Sequence, residues 1–146
     1  MAKRKRDTES FKKSVEDISV ALRNMFYVNI YKLYFVWCLD ETKAGAIGQD
    51  QHVAAEVQID DVYLTITLTL YKTLLDYYLV APGMLFDTIL HEFCHVFTDP
   101  QYYLAHKFMP DDLQEHHHRV RERQTETIKK VLLGTTEIAE LSKLEK

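Results

Sequence analysis

The strongest constraint in this sequence is an alternation. Between Tyr63 and Tyr71 every second residue is a large aliphatic, Leu64, Ile66, Leu68 and Leu70, and the residues between them are Thr65, Thr67 and Thr69. Successive side chains of a strand leave opposite faces of the sheet, so this pattern predicts one face on a core and a solvated threonine face. The preceding segment, HVAAEVQID, repeats the pattern more softly, with Val53, Ala55, Val57 and Ile59 alternating with small or polar neighbours. Only Asp60, Asp61 and Val62 separate the two runs. That spacer is far too short for a crossover, so the runs are predicted to pair as an antiparallel hairpin. The rest of the chain must then cover the apolar face of that hairpin.

Helical and extended periods divide the remainder. Phe11, Val15, Ile18, Leu22, Met25 and Phe26 recur at spacings of three and four and predict a helix over residues 9 to 27. YKLYFVWCL (31 to 39) is too dense in aromatic and β-branched residues for one helical face and reads as a largely buried strand. DETKAGAIGQDQ then supplies a loop, and residues 72 to 83 read as a mixed connector ending in Ala81-Pro82-Gly83, with Pro82 placed to open a helix. The next helix is marked by Leu85, Phe86, Ile89, Leu90, Phe93, Val96 and Phe97 and is expected to end at Asp99-Pro100. A last helix is predicted over 113 to 133, stopped by Gly134, with a charged tail beyond it. The expected class is therefore α+β: an N-terminal helix, a three-stranded mainly antiparallel sheet, a histidine-bearing helix and a C-terminal helix. Residues 9 to 134 form one domain in this reading, between a basic flexible arm (1 to 8) and the tail (135 to 146).

Composition excludes several classes. Hydrophobic residues make up 47% of the 146 and charged residues 27%, with four Gly and three Pro, which is the balance of a folded domain. Two cysteines, Cys38 and Cys94, make no disulfide framework, and Cys94 is read as a buried core residue. The N-terminal MAKRKRDTES lacks the apolar stretch of a signal peptide, and no run reaches the ~18 apolar residues of a membrane span. A soluble, cytoplasmic protein is expected. The net charge of −4 argues against general affinity for nucleic acid. Lys3, Arg4, Lys5 and Arg6 are the basic exception and read first as a solvated terminus, with recruitment to nucleic acid as the alternative.

The chemistry concentrates in DTILHEFCHVFTDP, residues 87 to 100. Residues four apart on a helix lie one above the other, so His91 and His95 can offer their imidazoles to one ion. Glu92 is turned about 100° from His91, beside such an ion and not on it, where it can take a proton from water. Shuffling this composition would write H-E-x-x-H in only about one chain in forty, so the pattern carries information. A catalytic zinc of this type has three protein ligands and an open position. The third is left open among His106, Glu115, His116, His117, His118, Glu122 and Glu126.

AAEVQIDD, LTITLTL, ILHEFCHVF and ERQTETI occur in the order found in a minimal zincin. The chain thus resembles the SprT-like and gluzincin-type metallopeptidases, above all small zinc peptidases common in phage genomes, over about residues 9 to 133. The resemblance implies a zinc hydrolase of peptide or protein substrates with His91 and His95 as ligands, Glu92 as general base and Glu122 as third ligand. It further implies that Glu126, four residues on, orients a ligand histidine. The run Glu115-His116-His117-His118 departs from that pattern, and because SprT-like enzymes use a histidine as third ligand, His117 and His118 stay open as alternatives. Residues 63 to 71 are expected to hold an extended peptide by strand addition. A non-catalytic zinc-binding assembly protein and a DNA-associated protease are the competing readings. Tyr31, Tyr34, Trp37, Tyr102 and Tyr103 serve packing or line a cleft.

Overall fold

The computed structural model describes residues 7–26, 30–45, 52–81 and 83–145. The basic residues Lys3 to Arg6, and Pro82, lie outside the described residues. Helix α1 (Thr8–Met25) begins where the Asp7 side chain accepts the Ser10 amide at 2.8 Å. Its stripe of Phe11, Val15, Ile18 and Leu22 is fully buried. Five strands follow: β1 (Lys32–Cys38), β2 (Lys43–Ala44), β3 (His52–Val53), β4 (Ala55–Asp60) and β5 (Thr65–Tyr71). β2 and β3 form a separate antiparallel ribbon, and the main sheet has the order β1-β5-β4.

The predicted hairpin is present. β4 and β5 are antiparallel in a register that pairs Ala55 with Leu70, Val57 with Leu68 and Ile59 with Ile66, so the aliphatics share one face. The second strand starts two residues later than expected. Asp60 accepts the amides of Val62 (2.9 Å) and Tyr63 (3.0 Å), and residues 61–64 form the turn, with Leu64 at φ 54° in the left-handed region.

The other two strand expectations need correction. β1 runs parallel to β5, so the main sheet holds one antiparallel and one parallel pair. β1 is also an edge strand with one open face: Leu33, Phe35 and Trp37 turn toward the core, whereas Tyr34 is 51% exposed and Val36 is exposed too. Density of apolar residues was mistaken for two-sided burial. β5 is the central strand, hydrogen-bonded on both sides, so the free edge for an added peptide is not at 63 to 71. Beside the histidine helix that edge belongs to β4.

Residues 72 to 80 are not a connector but a helix, α2 (Lys72–Val80). Leu74 and Tyr78, four apart, bury completely and fix it to the core. Helix α3 (Met84–His106) starts at Gly83, whose φ of 91° suits a residue without a side chain. Glu145 accepts the amides of Gly83 and Phe86, both at 3.2 Å, capping that end from the far end of the chain. α3 does not end at Pro100 but continues through it for six more residues. Proline removes one helical hydrogen bond at roughly 3 kcal/mol. Contacts to the next helix offset this, because Tyr102 stacks on His117 and lies under Arg121. Val96 is half-buried, and Phe97 is exposed although it packs on Phe26, so the apolar stripe stops at Phe93.

Helix α4 (Asp111–Leu133), helix α5 (Thr136–Leu141) and a 3-10 turn (Ser142–Leu144) complete the chain. The segment expected as a charged tail continues as helix, and its Ile138 is buried in the common core. That core joins α1, the aliphatic face of β5, α2 and the first half of α3, each buried aliphatic contributing on the order of 1.5–3 kcal/mol. α4 is different. Its fully buried residues are Thr125 and Lys129, so it meets α3 largely through polar groups. Among the described residues, no helix is long and apolar enough to cross a membrane.

Candidate metal centre

The polar seam between α3 and α4 is where the motif lies. His91 and His95 occupy successive turns of α3, with ring centroids 5.1 Å apart and planes nearly perpendicular. His91, Glu92 and His95 bring one donor atom each within 4.8 Å of one another. Glu122 on α4 approaches both histidines more closely. One of its oxygens is 3.0 Å from His91 Nε2 and the other 3.5 Å from His95 Nε2. Each ring is held from behind by a further carboxylate: His91 Nδ1 is 2.9 Å from Glu126, and His95 Nδ1 is 3.1 Å from Asp99. Thr125 lies 3.3 Å from the same His95 nitrogen, donates to the Arg121 carbonyl (2.8 Å) and bonds Thr98 (2.9 Å).

Two cations, the half-buried Arg121 and the buried Lys129, hold the outer carboxylates. Arg121 grips Asp99 with two N–H groups, Nε at 2.7 Å and Nη2 at 2.9 Å, and reaches Glu122 with Nη1 at 3.1 Å. Lys129, 5% exposed, donates to Asp87 and Glu126, each at 2.7 Å. Five carboxylates thus surround two fixed cations: Asp87, Glu92, Asp99, Glu122 and Glu126 against Arg121 and Lys129.

The ionisation states follow from these contacts. Burial works against charge on Glu122, Glu126 and Asp99, yet hydrogen bonds from His91, from Lys129, and from His95 and Arg121 respectively outweigh it and hold all three below the usual carboxylate range. His91 is lifted above its ordinary value: burial opposes its charge, but hydrogen bonding to Glu122 and the nearby Glu92 charge favour it more. For Glu92 desolvation dominates, and the nearby His91 and Arg121 charges offset it only in part. Glu92 is 8% exposed, and burial pushes its carboxyl up to about 8.

Among the described residues, His91, Glu92 and His95 form the group whose donor atoms could hold a metal ion, and Glu122 approaches each of the two histidines through a different oxygen. Imidazole and carboxylate donors suit a borderline dication such as zinc. Carboxylates behind the histidines suit it further, since they fix which ring nitrogen faces inward. His91, His95 and the expected third ligand Glu122 lie together at this seam beside Glu92, and Glu126 lies 2.9 Å from His91 Nδ1. The histidine run goes elsewhere. His117 stacks on Tyr102 at 4.6 Å and bonds its carbonyl at 3.3 Å, His106 lies 5.4 Å from the Tyr102 ring and 6.3 Å from that of His117, and His116 is exposed. Glu115 is paired with Arg119 on the surface. His118 lines the cleft described next.

That cleft, of about 710 Å3, opens beside the centre. Glu92, His95 and Glu122 line its helical side, and Gln58, Thr67 and Thr69 its sheet side. The threonine face is therefore not simply solvated but forms one wall of the cleft. Sequence reasoning missed Asp99, Arg121, Thr125 and Lys129. Their signal was the spacing of four, His95 to Asp99 on α3 and Arg121 to Thr125 to Lys129 on α4, whose apolar contribution to the core is limited to partly buried residues such as Ile128, Leu132 and Leu133. No family model matches this chain, and no curated protein or solved structure is significantly similar to it.

Proposed function

We propose that this protein is a zinc-dependent metallopeptidase of the minimal zincin kind, with His91, His95 and Glu122 holding the ion and Glu92 as general base. One observation carries the reading. Both motif histidines turn Nε2 toward the same glutamate, while a separate carboxylate holds Nδ1 of each. A helix that merely contained two histidines would have no need for this arrangement.

Zinc held at this position supplies Lewis acidity to a carbonyl and lowers the pKa of water. The protein supplies the rest. Glu92 lines the cleft next to the centre, so its carboxylate can accept the proton of the attacking water and pass it to the leaving amine as the C–N bond breaks. A dication held there would oppose the effect of burial on Glu92 and favour its ionised, proton-accepting form. Edge strand β4 borders the cleft and can receive an extended peptide by strand addition.

Burial of Glu92 gives some weight to a second reading, a non-catalytic zinc protein. Substituting Glu92→Gln separates the two. The variant is expected to keep its zinc and to lose peptide hydrolysis by roughly 10²-fold or more. Peptidase activity at the wild-type level in the zinc-loaded variant would remove Glu92 from the mechanism, and a zinc-loaded wild type inert toward a broad peptide library would favour the non-catalytic reading.

A further inference from the structure

We infer that Arg121 is a positioning residue that fixes the geometry of the metal centre by holding two of its carboxylates in one planar fork. The inference rests on the metal-centre reading above. Its basis is that the two carboxylates serve different ligands. Asp99 sets the ring of His95 through Nδ1, and Glu122 faces both histidines directly. Arg121 spans them, with Nε and Nη2 on the two oxygens of Asp99 and Nη1 on Oε1 of Glu122.

Local helix geometry does not produce this on its own. Neighbouring residues on a helix point about 100° apart, so Arg121 and Glu122 would ordinarily face different surroundings. The guanidinium instead lies 4.9 Å from the Tyr102 ring and 5.9 Å from the Tyr103 ring, which support it from α3. With Oε1 of Glu122 engaged by Arg121, Oε2 is the oxygen turned to His91 Nε2. Arg121 thereby fixes Oε1 of Glu122, which lies 3.5 Å from His95 Nε2, and through it the direction in which Oε2 faces His91. This argument requires a planar group with several N–H donors. A lysine carries the same charge on a single nitrogen and cannot bridge the three oxygens in this way.

The test compares tag-free wild type, Arg121→Lys and Arg121→Gln. Far-UV circular dichroism checks folding, competition with a chromophoric chelator gives zinc affinity, and the visible absorption bands of the Co2+-substituted proteins report coordination geometry. Arg121→Gln, whose amide can serve one carboxylate but not both, runs beside the lysine variant so that a folded protein is in hand. Zinc affinity is expected to fall roughly 10–100-fold in both variants, with shifted Co2+ bands and no rescue by lysine. Zinc affinity within twofold of wild type and unchanged Co2+ bands in either folded variant would overturn the inference. Absence of zinc from the wild type would overturn the metal-centre reading itself, and this inference with it.

Discussion

His91 has a carboxylate on each ring nitrogen, Glu122 at 3.0 Å and Glu126 at 2.9 Å. Burial opposes charge on this ring, but hydrogen bonding to Glu122, the nearby Glu92 and Glu122 charges and hydrogen bonding to Glu126 outweigh it and raise its pKa. The other residue of the motif with distinctive chemistry is Cys94. It is fully buried, and burial pushes its thiol up to about 12, so it packs in the core instead of acting as a nucleophile. Alkylation at pH 8 followed by peptide mass mapping is expected to leave Cys94 unmodified in the native protein and to modify it in denaturant. Rapid labelling of Cys94 in the folded state would contradict its placement on the inner face of α3. The sequence made His91, Glu92 and His95 legible because their spacing is itself the chemistry. Asp99 was hidden by its neighbour: followed by Pro100, it read as a helix stop, when it is the fourth residue after His95 on a helix that continues.

The β4–β5 hairpin was the most legible element, since a period of two leaves no other arrangement for aliphatics and threonines across so short a turn. The parallel partner β1 was less so, because no local signal tells an edge strand from a buried one when both are rich in aromatics. Helix α2 was missed because nine residues offer only Leu74 and Tyr78 as its buried pair. The turn itself carries a testable strain. Leu64 adopts a left-handed conformation that costs a residue with a side chain about 1–2 kcal/mol. Leu64→Gly should relieve it, less the greater freedom that glycine gives the unfolded chain, for a net gain of up to about 1 kcal/mol in urea unfolding. A clear loss of stability would mean that the Leu64 side chain contributes more through contacts than the strain costs.

At the scale of the molecule, the fold has an apolar half and a polar half. α1, β5, α2 and the start of α3 share one core, whereas α4 is fastened to α3 through Asp99–Arg121, Asp87–Lys129 and the histidine–carboxylate pairs. The α+β class could be read from periodicity, but this seam could not: the first half of α4 has almost no apolar pattern, and only pairing with α3 draws Arg121, Thr125 and Lys129 out of solvent. An ion bridging α3 and α4 would tie the two halves together. Removing it with a chelator is therefore expected to lower the melting temperature by on the order of 10 °C, as for a ligand present at about a thousandfold over its Kd. An unchanged melting temperature in a protein shown to have lost its metal would place the ion away from this seam.

The most direct measurement is metal content by mass spectrometry on tag-free protein, with wild type, Glu122→Ala and His117→Ala in parallel. The account predicts about one zinc per chain in the wild type and in His117→Ala, and loss of most of it in Glu122→Ala. Wild-type protein that holds no zinc after incubation with the ion and dialysis would contradict it.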